Sequence, residues 1–308
     1  MTIFNKLIHF AGHRNFLLSL ALILGLVLGK NTWILPDISV YVLAVVMTLA
    51  MSGFSFSVFR KPVEASKMTG LAFLLNYIVF GGVLLLTAHL IAPGSELWLG
   101  CVLLAASPPG PSVVPFTAIM KGNINLAVIG LAALHLLALF FAPLILIMLT
   151  GNNLIDPKII VVILAKTIIA PLIFSRPLRN RHILPHVEKI RGKLINIGFF
   201  LIIVPIVGQS AHVMILNPAL ICQSMLIFAV TMFLSALVFH IMATKIGMKT
   251  ESIIASVFFL TTKSSAFAAV VVFALNEETA GIPAAVHAFF VTIFFIGYSA
   301  LKTGKNKI

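Results

Sequence analysis

The chain has 308 residues, 60% of them hydrophobic and 9% charged, with a net charge of +13 and a mean hydropathy of +1.14. A soluble domain carries about 25% charged residues, so this composition excludes a water-soluble globular protein. It points to an all-α membrane protein, because helices satisfy their own backbone groups in lipid.

The first fifteen residues mix Ile3, Phe4, Leu7, Ile8 and Phe10 with Lys6, His9 and His13. They read as a weakly amphipathic interfacial segment and not as a cleavable signal. Ten apolar stretches follow, at 15–29, 38–59, 68–92, 96–120, 124–150, 158–175, 194–215, 219–244, 252–275 and 282–301. Each is near the ~20 residues a helix needs to cross the hydrocarbon core. Of the 21 basic residues, 17 fall at the chain ends or in alternate loops. These include Arg60, Lys61 and Lys67 after span two, Lys121 after span four, six residues from Arg176 to Lys193, and Lys245 and Lys249 after span eight. The intervening loops hold only Lys30 and Lys158. The positive-inside rule therefore predicts an even number of spans, with both termini cytoplasmic in a cell membrane. It also accounts for the net charge without a nucleic-acid partner. Cys101 and Cys222 lie in apolar spans with no metal or disulfide spacing, and are expected to be core residues.

Ten spans divide into five and five near Asn153, giving halves 1–150 and 151–308. An odd number of spans per half places the halves in opposite orientations, as in inverted-repeat transporters. Corresponding spans also share an interruption. Span four reads Ser107-Pro108-Pro109-Gly110-Pro111-Ser112, followed by Pro115. Each interior proline costs a helix about 3 kcal/mol, so a continuous helix is excluded. Span nine reads Thr261-Thr262-Lys263-Ser264-Ser265. Five consecutive polar residues cover every face of a helix, so protein must enclose this segment on all sides. Two lysines, Lys166 and Lys263, fall inside spans, and His135 lies mid-span in span five. All eight acids lie in loops or at span ends.

These residues resemble the bile acid:sodium symporter family. The resemblance rests on three stretches. One is span four with its exit Lys121-Gly122-Asn123. Another is Met51-Ser52-Gly53-Phe54-Ser55-Phe56 running into Phe59-Arg60-Lys61-Pro62, and the third is Ser264-Ser265-Ala266-Phe267-Ala268-Ala269. It implies ten transmembrane helices with broken crossing helices 4 and 9, and a core of helices 3–5 and 8–10. The panel would be helices 1, 2, 6 and 7, and the function sodium-driven uptake of organic anions. The departures from the family pattern fall on its sodium ligands. Pro109 replaces a glycine, although Gly110 is kept. Val113 and Val114 stand where Ser and Asn are expected, and Ala127 and Leu131 where hydroxyls are expected. Phe259 and Lys263 stand in place of an acid and a glutamine, and Asn76 in place of a glutamine. Both sodium sites are expected to be degenerate.

The candidate substrate- or ion-binding residues are therefore Ser107, Pro108, Gly110 and Ser112 of span four, and Thr261, Thr262, Lys263, Ser264 and Ser265 of span nine. Asn76 of span three, His135 of span five and Lys166 of span six complete the set. Lys263, in a bilayer interior that holds no carboxylate, must bind backbone carbonyls, pair with an anionic substrate or give up its proton. His135 suits a proton relay or a packing role, and Lys166 either faces a cleft or snorkels outward. His240 and His287 lie nearer span ends and carry no assigned role. The expected function is secondary transport of a small organic anion by alternating access without the standard two-sodium coupling. The alternatives are an uncoupled facilitator or efflux carrier and a non-transporting sensor or scaffold. The absence of buried acids and of a nucleophile with its base argues against an enzyme. No cofactor or resident metal is implied, and the expected partners are the substrate anion and the lipid bilayer.

Overall fold

A computed structural model describes residues 14–32, 35–53, 61–93, 96–150, 157–275 and 277–305. The interfacial segment at 1–13, residues 54–60 of the motif after span two, and the midpoint at 151–156 lie outside the described residues.

Regular structure among the described residues is helical. In chain order the helices are α1 Arg14–Leu28, α2 Leu35–Ser52, α3 Pro62–Ile91, α4 Leu97–Ala106, α5 Val113–Ile119 and α6 Ile124–Thr150. Then come α7 Lys158–Leu178, α8 Leu184–Leu216, α9 Pro218–Lys245, α10 Thr250–Phe259, α11 Ser265–Leu275 and α12 Gly281–Lys305. Six of them (α3, α6, α7, α8, α9 and α12) are long and apolar enough to cross a bilayer. Helices α1, α2, α4, α10 and α11 are shorter apolar segments. The predicted span four appears as α4 and α5, and span nine as α10 and α11.

Several helix ends differ from the apolar stretches, because hydropathy reports lipid contact and not helicity. Helix α3 starts at Pro62, where proline fits a first turn that needs no N–H partner. Helix α8 starts at Leu184 beside Pro185 and carries the charge-rich residues 186–193 before its continuous apolar part begins. Helix α2 stops at Ser52. Three π-helical segments were not predicted: Leu74–Phe80 within α3, Ala165–Ile169 within α7 and Ala229–Leu234 within α9. Each shifts the residues beyond it around the helix axis. Helices α3 and α9 are joined through Thr87 Oγ1 and Thr231 Oγ1, 2.8 Å apart.

Helix α8 packs along α1 and α2, and α2 also packs on α7. A Cβ at Gly25 of α1 would lie 2.6 Å from Val207 Cβ of α8, so only glycine permits this approach. On the other side, α4 packs against α3, α6 and α12, and α11 packs against α12. Of the two cysteines, Cys101 is buried in α4 but Cys222 is exposed on α9, contrary to expectation. An apolar span does not imply burial in protein where lipid supplies the apolar surroundings.

Candidate functional site

The two broken segments meet. Ser264 N–H donates to Pro108 O at 2.9 Å and Gly110 N–H to Thr262 O at 3.4 Å, pairing Pro109 with Lys263 in an isolated antiparallel bridge. Four helix ends, those of α4, α5, α10 and α11, thus converge on one buried point. Ser107, Pro108, Gly110, Ser112, Thr261, Thr262, Lys263, Ser264 and Ser265 are all buried there.

Each helix that ends at the crossing leaves carbonyls without an intrahelical partner, and no bilayer water can supply one. The last carbonyls of α4 are served in part by Ser107, whose N–H reaches Leu103 O at 3.0 Å and Leu104 O at 3.1 Å, and whose Oγ–H reaches Leu104 O at 2.8 Å. Lys263 takes two more, with Nζ 2.9 Å from Ala105 O and 2.8 Å from Ser107 O. Its Nζ thereby lies at the negative end of the α4 dipole, which favours a positive charge there. The Tyr77 ring lies on the same ammonium, with its centroid 4.1 Å from Nζ, in a cation–π contact.

Helix α10 ends in the same manner. Leu260 N–H donates to Ser256 O and Val257 O, both at 3.1 Å, and Thr261 Oγ donates to Val257 O at 2.9 Å. Asn76 Nδ2 then donates to Phe259 O at 2.8 Å and Thr262 O at 3.3 Å. Asn76 and Tyr77 both belong to the π-helical part of α3, so one widened turn serves the crossing with two consecutive side chains. Replacing Asn76 with leucine keeps the branching at Cγ and removes the donor to both carbonyls. The expected cost is about 2 kcal/mol from two orphaned carbonyls, read as a lowered thermal midpoint of the purified protein. An unchanged midpoint would count against this capping role.

The starts of α5 and α11 face the same region. Ser264 accepts the Phe267 N–H at 3.3 Å in an N-cap arrangement. Ser265 Oγ is 2.7 Å from His287 Nδ1, and His287 is fully buried beside the rings of Phe80 and Phe228. A cavity of about 30 Å³ lies at the crossing, lined by Gly110, Ser112, Lys263, Ser264 and Ser265, with Leu18 of α1 and Phe199 and Ile203 of α8 closing it. One water needs about 10–15 Å³ by this measure.

Other sequence candidates lie elsewhere. His135 is buried in α6, its Nδ1 2.8 Å from Leu131 O one turn back. Its Nε2 has no hydrogen-bond partner among the described residues. Lys166 is exposed on α7, with Nζ 5.3 Å from the Tyr41 ring of α2, so its partner belongs to the α2–α7 pair and not to the crossing. The sequence did not single out Tyr77, and it left His287 without a role. Tyr77 follows Asn76, but on a regular helix the two would diverge by about 100°. His287 follows Pro283, Ala284 and Ala285, small residues that let α12 approach α4 and α11 closely.

Apolar helices long enough to span a bilayer, with two broken segments paired inside the bundle, are the build of a multi-pass membrane protein. The chain belongs to the sodium bile acid symporter family, which residues 40–218 match. That family comprises sodium-coupled organic-anion transporters, and membership makes membrane transport the class of function of this chain. No curated protein matches the chain.

Proposed function

We propose that the protein moves a small organic anion across the membrane by alternating access, with the Lys263 ammonium standing in for the coupling sodium. The observation that carries this proposal is the position of Lys263 Nζ, which is held by Ala105 O and Ser107 O across the junction of the two broken segments. Two carbonyl oxygens and a ring face are the kind of partners that hold a cation. Sodium wants hard oxygen ligands, and the side chains of Val113, Ala127, Leu131 and Phe259 offer none. The residues present do not fit a sodium site of the family type, and no step is assigned to sodium.

In this proposal the chain forms ten spans in two inverted five-helix halves. Its support is the matched placement of breaks in spans four and nine and of π-helical segments in α3 and α9, spans three and eight. Helices α1, α2, α7 and α8 form the panel, and the remaining helices form the core. The substrate anion is received where Ser112, Ser264 and Ser265 line the crossing cavity, near the positive start of α11. Lys263 adds positive potential, but both of its carbonyl bonds are within the protein. It shapes the field at the site while Ser264 and Ser265 make the contacts. A cavity of about 30 Å³ is too small for an organic anion. Binding therefore requires Leu18, Phe199 and Ile203 to withdraw from the crossing as the panel moves away from the core.

Uptake of labelled carboxylates, sulfonates and sterol acids into proteoliposomes tests this reading. Flux is expected to persist when choline replaces sodium, and to change less than about twofold. A loss of about tenfold or more without sodium would sink the substitution of Lys263 for the ion. Failure of every anion to bind or move would favour the sensor alternative.

A further inference from the structure

A second, larger concavity lies away from the crossing. Its volume is about 540 Å³, within the ~300–1,000 Å³ of sites that hold small ligands. One stripe of α3 forms a wall, through Pro62, Ser66, Thr69, Gly70 and Phe73, and Leu137 and Phe141 of α6 form the other. Its described lining includes no residue of α1, α2, α7 or α8, whereas α1 and α8 close the crossing cavity.

The groove is amphipathic along its length. Lys61 directly precedes Pro62, with Glu64 3.6 Å from it in an exposed pair, and Lys67 is an exposed cation one residue beyond Ser66. Ser66 and Thr69 follow, and Phe73 and Phe141 close the far end with ring centroids 4.8 Å apart. From Pro62 to Phe73 is eleven residues, or about 16 Å at ~1.5 Å per residue. That is half of a hydrocarbon core about 30 Å thick, the depth of a single leaflet. Cations at the mouth, an apolar interior and a one-leaflet length match one kind of occupant.

We propose that this groove binds an acyl chain of an anionic phospholipid, with the headgroup at Lys67 and Lys61. The bound chain ends against Phe73 and Phe141. Both rings contact Tyr77, at 5.4 Å and 6.0 Å, and Tyr77 covers the Lys263 ammonium. Occupancy of the groove is thus reported to the wall of the crossing.

The test uses the full chain reconstituted with phosphatidylglycerol or phosphatidylcholine, extracted in mild detergent and examined by native mass spectrometry for retained lipid. A Cβ at Gly70 or at Gly82 of α3 would meet nothing within 4 Å, so both accept leucine without a clash at that atom. Gly70 lines the groove and Gly82 does not. Retention of phosphatidylglycerol over phosphatidylcholine is expected to be about fivefold, the worth of one lysine near a charged headgroup. Gly70→Leu is expected to lower retention about tenfold by filling the groove, with Gly82→Leu like the parent. Lys67→Gln is expected to abolish the headgroup preference while a chain is still retained. Thr69→Phe fills the groove by a second route, should Gly70→Leu not fold. Equal retention in the parent and the groove-filled variant overturns the proposal. So does displacement of the lipid by a water-soluble sterol acid in the parent but not in Gly70→Leu, which would make the groove a site for that anion. Lipid retention is read without transport, so its failure is distinct from failure of the transport reading.

Discussion

Replacing Lys263 with methionine is expected to destabilise the protein by about 2–4 kcal/mol and to abolish anion uptake. The destabilisation arises at the end of α4. Ala105 O and Ser107 O would lose their donor at a buried position, at about 1–3 kcal/mol each. Removing a buried cation returns part of its desolvation cost, which keeps the net below the sum of the two. The negative end of the α4 dipole also loses its counter-charge. Lys263→Ala separates the charge from the side chain that delivers it. It leaves two carbonyls and the Tyr77 face around a space sized for a small ammonium ion. Methylammonium present at about ten times its dissociation constant is expected to restore about 1.4 kcal/mol, read as a rise in thermal midpoint that glycerol or choline does not reproduce. If sodium restored Lys263→Ala and methylammonium did not, the crossing would be a sodium site and the proposal of a built-in cation would fail. A Lys263→Met protein as stable and active as its parent would do the same.

The features that carry this expectation were unequally legible in the sequence. The two broken segments were readable because proline chemistry and a five-residue polar run are local signals. Neither can be reconciled with a lipid-facing helix. That Lys263 would bind carbonyls was one of three open options, and the sequence could not choose, because its acceptors, Ala105 O and Ser107 O, are backbone atoms with no sequence signature. The π-helical turn of α3 was invisible for the same reason. Nothing in Leu74-Leu75-Asn76-Tyr77 marks it as wider than an α-helix, yet it carries both Asn76 and Tyr77 to span nine. Asn76 was found through its amide, whereas Tyr77 was missed because an aromatic residue in an apolar span reads as packing. Lys166 and His135 were chosen by the same rule as Lys263, that an ionisable group in a membrane is functional. Only Lys263 is held by carbonyls across the crossing, and the difference lies in tertiary partners that a linear pattern does not contain. Helix α8 starts ten residues before its apolar stretch because a helix continues into polar sequence wherever its backbone bonds do.

Gly110 provides the other large effect, through space instead of charge. A Cβ at this position would lie 3.0 Å from Lys263 O and 3.1 Å from Thr262 Cγ2. The nearer obstacle is a backbone oxygen, fixed by the same bridge that pairs Pro109 with Lys263, so it cannot turn aside as a side-chain end would. Gly110→Ala therefore has to stretch the contact between the broken segments, at an expected cost of about 1 kcal/mol, and Gly110→Val about 2–3 kcal/mol. The first bond affected is Gly110 N–H to Thr262 O, already long at 3.4 Å, and then Ser264 N–H to Pro108 O at 2.9 Å. Once these part, Lys263 cannot hold both Ala105 O and Ser107 O, so the steric change becomes an electrostatic one. The two variants are thus expected to differ in kind. Alanine should lower the thermal midpoint modestly and keep most uptake, and valine should lower it further and reduce uptake by about tenfold or more. Combining Gly110→Val with Lys263→Met should cost less than the sum of the two, because both disrupt one junction. A double-mutant cycle by thermal denaturation measures this. Strict additivity would mean that the close approach at Gly110 and the carbonyl bonds of Lys263 are independent, and that the crossing is not one cooperative unit.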